Sequence, residues 1–297
     1  MPVIDLACGA EKNYVAHSAA MLSSAMDNCG DHLLRVSYLH PPRFPRRAKG
    51  ALERMAAARE VEISFVEVPD SMVAGIRTKD FTRKATWYRI FLADLLPDSE
   101  RAIWLDADTL VLDDIVPLWK TSLEDRYLAA VTNIFQPDHV HRTRKLGIDP
   151  RDYFNAGVLV MNLEMLRREG MTKALRDFAV EHADRLTWRD QDTLNLVLGE
   201  RRVHLHPRWN LMHSVLRFKS AIDVFGEEDV REARANPAIR HFEGPGPNKP
   251  WHALADEGDR ALYRAHRQGT PWPVVRLEGG GSAARMKRIA DALRARR

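Results

Sequence analysis

An apolar run of four residues, 102–105, is followed by Asp106 and Asp108, two carboxylates that one alanine separates. Such a run predicts a buried strand, and in open α/β sheets ligands bind beyond the carboxyl ends of the strands. Two carboxylates this close repel each other unless a cation lies between them. Hard oxygen ligands suit Mn²⁺ or Mg²⁺, which also bind phosphate oxygens. The pair therefore predicts a metal site for a phosphorylated substrate; the alternative is a strand that ends in a solvated acidic turn.

The segments upstream of this pair alternate between strand and helix patterns. Strands are predicted over 3–8, 33–39 and 61–68, and helices over 14–28, 48–59 and 82–96. Three strand–helix units of this length predict a mainly parallel, Rossmann-like sheet with helices on its faces. The turn after the first strand, residues 9–14, lacks the Gly-x-Gly-x-x-Gly pattern, which argues against a nicotinamide or flavin enzyme.

The composition is that of an ordinary globular protein. The chain has 297 residues, of which 45% are hydrophobic and 29% are charged. Two cysteines, Cys8 and Cys29, are too few for a disulfide framework and suit a reducing compartment. No apolar run reaches the roughly 18 residues of a membrane-spanning helix, and the first ten residues lack the basic start of a signal peptide. We therefore expect a cytoplasmic protein.

The net charge of +4 is concentrated at the C-terminus. Six of the last thirteen residues are Lys or Arg and one is Asp, which leaves about −1 for the remainder. The body of the chain therefore gives no indication of nucleic-acid binding. We predict one domain over 1–277, followed over 278–297 by a Gly-rich linker and a short basic helical tail. The tail is either a solvated helix or, through 285–297, a peripheral contact with the inner face of the cytoplasmic membrane.

Four polar patches occur in one order along the chain. They are Asp106-Ala107-Asp108, Asn155-Ala156-Gly157, Asp190-Gln191-Asp192, and His241 with Lys249-Pro250-Trp251. Together with Asn13-Tyr14, this order resembles glycosyltransferase family 8, the retaining transferases that include bacterial lipooligosaccharide galactosyltransferases and glycogenin. The resemblance covers most of the chain and implies an α/β fold: a single GT-A domain with a mixed, mainly parallel central sheet flanked by helices.

The resemblance implies that Asp106 and Asp108 bind Mn²⁺, or alternatively Mg²⁺, and that His241 completes the protein ligands. Two carboxylates and one imidazole leave positions open on an octahedral ion for two diphosphate oxygens. Taken alone, His241 has the alternative of being an ordinary core or surface histidine.

The resemblance also implies that Lys249 adds a positive charge at the leaving phosphate. The alternative is a surface lysine before a proline turn. Two residues more than the family pattern lie between His241 and Lys249, so the glycine of the family unit is either Gly244 or Gly246.

Nucleotide contacts follow from the same resemblance. Tyr14 matches the aromatic residue that packs on uracil, and Glu11 matches an acidic residue that accepts a hydrogen bond from uracil N3. Ala10 is expected to bind the nucleotide as well, and the backbone of Ala107 to contact the ribose. Arg89 matches an arginine that touches the second aspartate and the donor sugar; the alternative is a charge on a helix surface.

Sugar contacts and catalysis are assigned in the same way. Asn155 and Asp190 match residues that hydrogen-bond the donor sugar, and Gly157 would let the backbone approach it. Gln191 matches the residue below the anomeric carbon. Because an amide is a poor nucleophile, we expect front-face substitution, in which the leaving phosphate accepts the proton of the acceptor. The alternative for residues 190–192 is a helix N-terminal cap.

The expected enzyme is a retaining transferase that moves a hexose from UDP-galactose or UDP-glucose to a saccharide or glycolipid acceptor. Acceptor contacts are expected from residues 135–152, predicted as a loop or lid, and from the irregular segment 211–236. A rival is a haloacid-dehalogenase-type phosphatase, whose Asp-x-Asp-x-Thr motif residues 106–109 also satisfy. That motif normally closes the first strand, whereas three strand–helix units precede it here. A second rival is a non-catalytic nucleotide-sugar binder.

Overall fold

The computed structural model describes residues 2–77, 84–135 and 139–281. Its strands are β1 (Val3–Gly9), β2 (Leu33–His40), β3 (Glu62–Glu67), β4 (Arg101–Leu105), β5 (Thr109–Val111), β6 (Leu128–Thr132), β7 (Phe154–Asn162), β8 (Arg202–His204) and β9 (Ile239–His241). Its α-helices are α1 (Val15–Asp27), α2 (Arg46–Ala57), α3 (Leu92–Leu95), α4 (Val116–Trp119), α5 (Val140–Leu146), α6 (Leu163–Arg168), α7 (Met171–Glu181), α8 (Arg189–Leu198), α9 (His213–Arg217), α10 (Ser220–Phe225), α11 (Glu227–Ala235) and α12 (Glu257–Gln268). Short 3₁₀ helices cover Lys84–Phe91, Gly199–Arg201, Pro207–Asn210 and Gly246–Asn248.

Within these ranges, seven strands form a central sheet in the order β3-β2-β1-β4-β7-β6-β8. Strand β1 pairs in parallel with β2 and β4, β2 with β3, and β6 with β8. Strand β7 runs antiparallel to both β4 and β6. The prediction of a mixed, mainly parallel sheet is therefore confirmed. Because β2 and β4 leave β1 on opposite sides, a crevice forms at the carboxyl ends of β1 and β4.

The apolar run before Asp106 is β4, and it lies in the middle of this sheet. Its residues divide between two cores, as the alternation of side chains along a strand requires. Ile103 and Leu105 face the core that contains α1, whereas Ala102 and Trp104 face the core on the opposite side. All four are essentially buried, which explains why the strand is continuously apolar.

A second, two-stranded sheet extends this frame beyond the end of β4. Strands β5 and β9 pair antiparallel, with Thr109 opposite His241. The backbone of Phe242 also donates to the carbonyl of Asp108 at 2.9 Å. This pairing brings a histidine from late in the chain next to two aspartates that precede it by more than a hundred residues.

Three segments differ from their predicted structure. Where it is described, the helix predicted over 82–96 is a 3₁₀ helix followed by the single turn α3. Residues Trp87 to Phe91 are all buried, so this segment has no solvent-exposed face of the kind that an amphipathic helix has. Residues 135–152 include α5, so this segment is not purely a loop. Residues 211–236 are not irregular, because they contain the helices α9, α10 and α11.

The predicted tail over 285–297 lies outside the described residues. Just before it, the backbone of Glu278 donates to the carbonyl of Trp251 at 2.9 Å and accepts from the backbone of Ala253 at 2.8 Å. The chain therefore returns to the 249–253 loop at the proposed domain boundary. In the described ranges, no helix combines the length and the apolar composition needed to cross a bilayer.

Candidate functional site

The two aspartates and the histidine converge at the end of β4. One ligand atom from each of Asp106, Asp108 and His241 lies within 4.8 Å of the other two. The turn that positions the aspartates is closed by Thr109, whose backbone and hydroxyl donate to the carbonyl of Asp106 at 3.1 and 2.8 Å. Two carboxylates and an imidazole are a donor set that fits Mn²⁺ or Mg²⁺.

A chain of amide side chains fixes the tautomer of His241. The backbone N–H of Gly157 donates to Asn155 Oδ1 at 2.9 Å, so that atom is an acceptor. It also accepts from Asn210 Nδ2 at 2.9 Å, which turns Asn210 Oδ1 toward His241 Nδ1, again at 2.9 Å. Nδ1 must therefore carry the proton. In the neutral ring, the Nε2 lone pair then faces Asp108 Oδ1 at 3.4 Å, an arrangement that a bound cation satisfies.

Asn210 was not predicted from the sequence as a site residue. It lies in the 3₁₀ helix Pro207–Asn210, is fully buried, and orients the imidazole from behind. Its signal in the sequence is weak, because a single asparagine between apolar residues matches no motif. Outer-shell partners of this kind set the orientation of a metal-binding histidine.

Gly157 is required by the same histidine. A Cβ at this position would clash with Cε1 of the His241 ring and lie 2.9 Å from its Nδ1, which is closer than real Cβ contacts allow. The glycine therefore makes room for the imidazole. Its predicted contact with the donor sugar stays a prediction.

Arg89 is not a surface charge. Only 4% of the residue is exposed. Its guanidinium pairs with Asp190 at 3.1 Å and with Asp106, the first aspartate of the pair rather than the expected second, at 2.9 Å. It also donates to the carbonyl of Ala156 and lies over the ring of Trp104. Burial raises the pKa of Asp190 to about 6, although Arg89 acts in the opposite direction.

Lys249 reaches the site despite the two extra residues in its loop. Its ammonium contacts Asp108 Oδ2 and donates to the carbonyl of Phe242 at 2.7 Å. Burial by itself would lower the pKa of Lys249, but nearby groups, with Asp108 the largest contributor, together raise it. Burial likewise opposes ionisation of Asp108, but Lys249 and His241 hold the pKa of Asp108 well below its usual range. The pair is therefore ionised, with the lysine charge placed beside the metal ligands.

Both candidate glycines of that loop adopt positive φ angles, +79° at Gly244 and +63° at Gly246. A Cβ at Gly244 would meet the side chain of Asn248 at 3.0 Å, whereas the surroundings of Gly246 are open. The backbone of Lys249 donates to the carbonyl of Gly246 at 2.9 Å. The extra residues are thus absorbed in a tight turn that returns Lys249 to Asp108.

Gln191 is fixed by the strand next to it. Its Oε1 accepts from the backbone of Ala156 at 3.0 Å and from Asn155 Nδ2 at 3.3 Å, and its Nε2 donates to the hydroxyl of Tyr153 at 3.3 Å. Residues 190–192 are not the N-cap of α8, which is Trp188, but Asp192 accepts from the backbone of Trp188 at 2.7 Å. Asp190, in the first turn of α8, instead faces Arg89.

Most of the predicted site residues line two adjoining cavities, whereas His241 and Gly157 are buried and belong to neither lining. The first cavity has a volume of about 620 Å³, and its lining includes Ala10, Glu11, Tyr14, Arg89, Asp106, Ala107, Asp108 and Lys249. Here one carboxylate oxygen of Glu11 accepts from the backbone of Lys84 at 2.8 Å. The second cavity has a volume of about 800 Å³ and includes Asn155, Asp190 and Gln191. Both linings contain Arg89 and Asp106, so the cavities meet at these two residues.

A family model and two related proteins match most of the chain. The family model described as Glycosyl transferase family 8 matches residues 5–255. General stress protein A of Bacillus subtilis (strain 168) is 31% identical over 272 residues, which cover 90% of this chain and 93% of that protein. Lipopolysaccharide glucosyltransferase WaaO of Escherichia coli (strain K12) is 24% identical over 290 residues, which cover 92% of this chain and 80% of that protein.

The fold also matches a solved structure. The galactosyltransferase LgtC, crystallised with donor and acceptor sugar analogues, superposes with a TM-score of 0.78 at 25% sequence identity. The match covers 90% of this chain and 96% of that one. The central sheet and its flanking helices are therefore those of a GT-A fold.

Proposed function

The chain belongs to glycosyltransferase family 8. We propose that it transfers a hexose from UDP-galactose or UDP-glucose, assisted by Mn²⁺. As a member of this family it is a retaining glycosyltransferase that acts on a sugar acceptor. Mg²⁺ is the alternative ion. The observation that carries the proposal is the convergence of Asp106, Asp108 and His241 beside the ammonium of Lys249.

The proposed acceptor is a saccharide or a glycolipid. Two of the similar proteins support a hexose donor and a glycan acceptor: WaaO is named a lipopolysaccharide glucosyltransferase, and LgtC a galactosyltransferase. The phosphatase alternative loses its support, since the aspartates follow the fourth strand and the family model matches residues 5–255.

The proposed reaction breaks the bond between the sugar C1 and the diphosphate oxygen. The acceptor oxygen forms the new bond from the same face, and its proton passes to the leaving diphosphate. Asp106, Asp108 and His241 would hold a divalent cation, which would supply Lewis-acid stabilisation of that diphosphate when bound. Lys249 adds a positive charge that burial strengthens, because little water screens it.

The chain's other residues orient the donor and limit its motion. Arg89 pairs with both Asp106 and Asp190, so the metal side and the sugar side of the site are linked through one buried cation. The carbonyl oxygen of Gln191 is held by two donors and is the atom that we propose stabilises positive charge developing at C1. Such fixed dipoles need no reorganisation during the reaction.

A UDP-release assay tests this proposal. The wild-type chain is incubated with a panel of UDP-sugars, with and without Mn²⁺, and released UDP is measured. We expect metal-dependent release from UDP-galactose or UDP-glucose. Asp108→Asn should reduce it by about 10³-fold, because a metal supplies several kcal/mol and each 1.36 kcal/mol is tenfold in rate.

The matched control is Asp113→Asn, a nearby exposed carboxylate that pairs with Arg208 outside the site. We expect the wild-type rate from this variant. Equal losses in both variants would contradict the site. Release of phosphate from simple monoesters, without release of UDP, would instead support the phosphatase.

A further inference from the structure

The second cavity is where an acceptor would lie under the proposed function. It adjoins the first cavity at Thr86, Arg89 and Asp106. A diphosphate bound at the metal ligands would direct its sugar toward this boundary, past Asp190 and Gln191. The remaining wall is built from residues around α5, α8 and α9, which are separated along the sequence.

Each of these three elements contributes one arginine to the second cavity. They are Arg142 on α5, Arg189 at the start of α8 and Arg217 at the end of α9. Among the residues that the structure describes, none of the three forms a salt bridge with a carboxylate. Arg89, on the shared boundary, differs in having two carboxylate partners.

The carboxylates of the second cavity are already engaged. Asp106 and Asp190 share the guanidinium of Arg89. Glu243 accepts from two backbone N–H groups at the start of α9, at 2.8 and 3.1 Å. Below the surface, Asp192 accepts from the Tyr153 hydroxyl and from the backbone of residue 188. Among the described residues, the three arginines therefore have no salt-bridge partner, and Arg142 acts on Asp192 only at longer range. An anion that enters from solvent would supply such a partner.

Aromatic side chains, including Phe135 and Trp188, form part of the same cavity wall. The ring of Trp188 stacks on Phe135 with centroids 5.3 Å apart and an interplanar angle of 23°, and Tyr153 packs edge-on at 5.8 Å. The guanidinium of Arg142 lies 5.1 Å from the centroid of Trp188. A flat apolar surface with a few converging polar groups is typical of a small-molecule site.

We propose that the second cavity selects a saccharide acceptor that carries an anionic group, a phosphate or a carboxylate, and that Arg142, Arg189 and Arg217 bind that group. The inference rests on the proposed function, because it assigns this cavity to the acceptor. Guanidinium groups suit the role because their planar donors match both anions in a bidentate way. The sugar ring would lie against Trp188.

Ligand-observed NMR titrations on the full chain, saturated with UDP and Mg²⁺, test this inference. UDP occupies the diphosphate site, and Mg²⁺ avoids paramagnetic broadening. The probes are glucose, glucose 6-phosphate and glucuronate, which share one sugar and differ in the anionic group. We expect a charged probe to bind at least about tenfold more tightly than glucose. The stronger of the two charged probes identifies the anion.

Arginine variants locate the effect. Arg142→Gln and Arg217→Gln should each weaken binding of the charged probe about tenfold, as expected for a lost charge-assisted hydrogen bond, without weakening glucose. Arg144→Gln is the matched control, because Arg144 is exposed on the same helix and is not part of the cavity lining. Equal affinity for all three probes, or an equal loss in the Arg144 variant, would overturn the inference.

The NMR titrations and the UDP-release assay can fail independently of each other. A chain that releases UDP from a UDP-sugar but binds glucose and glucose 6-phosphate equally would refute the anionic acceptor alone. A chain that binds the charged probe through Arg142 and Arg217 but never releases UDP would refute the transferase mechanism and leave the anion site in place.

Discussion

The first and second cavities meet at Arg89 and Asp106 but are built in different ways. The first lies at strand ends, and its charges are paired and buried: Asp108 with Lys249, and Asp106 with Arg89. The second is lined largely by helices, and three of its arginines, Arg142, Arg189 and Arg217, form no salt bridge with a carboxylate of the described residues. The first cavity therefore has the fixed charges that bond breaking needs, whereas the second presents guanidinium groups suited to binding an anion.

The largest effect should come from the fixed charge of Lys249. Lys249→Gln removes a buried cation at the leaving phosphate, and we expect kcat for UDP release to fall by about 10²- to 10³-fold. The measurement is the release rate at saturating UDP-sugar and Mn²⁺. Lys219→Gln, an exposed lysine, is the control and should keep the wild-type rate. If Lys249→Gln were equally active, the contact with Asp108 would be structural only.

A smaller effect should come from the space that His241 needs. Gly157→Ala places a methyl group against the imidazole, so the ring must move away from Asp106 and Asp108. We expect the Mn²⁺ concentration for half-maximal activity to rise about 10- to 100-fold, as for other changes behind a metal ligand. Gly199→Ala is the matched control, because no atom lies within 4 Å of the added Cβ. Similar behaviour of the two variants would mean that His241 is not a ligand.

The smallest of these effects concerns pH, at the boundary of the cavities. Burial raises the pKa of Asp190 to about 6, so the carboxylate gains a proton as the pH falls through that value. A protonated Asp190 no longer pairs as an anion with Arg89, and kcat/KM should fall by about tenfold for each pH unit below 6. Asp190→Asn should have lower activity at pH 7.5, and its kcat/KM should not fall further as the pH drops below 6. The same fall of kcat/KM below pH 6 in that variant would assign the titration to another group.

The elements that could be predicted from the sequence are those that a local pattern of residues determines. The strand that ends at Asp106 could be predicted because four apolar residues precede two carboxylates. The early strands and helices could be predicted because apolar periodicity and Pro or Gly punctuation agree there. No helix was predicted at α12, although Asp256 caps it by accepting from the backbone of residues 258 and 259.

The parts that could not be predicted depend on contacts between distant segments. The interaction of Gly157 with His241 requires β7 and β9 to be brought together, and no spacing in the sequence encodes it. Asn210 could not be found for the same reason. Arg142 and Arg217 are ordinary charges in the sequence, and only the fold places them around one cavity.

The proposed mechanism requires that Asp106, Asp108 and His241 form a divalent metal site next to the bound diphosphate. Titration of Mn²⁺ into the full chain with UDP, monitored by electron paramagnetic resonance, measures this site without any turnover. We predict one Mn²⁺ bound per chain, with Asp113→Asn unchanged. In Asp108→Asn, the affinity for Mn²⁺ should fall by more than the roughly 10- to 100-fold expected when a residue behind a metal ligand is changed. Unaltered Mn²⁺ binding in a folded Asp108→Asn variant would contradict the claim.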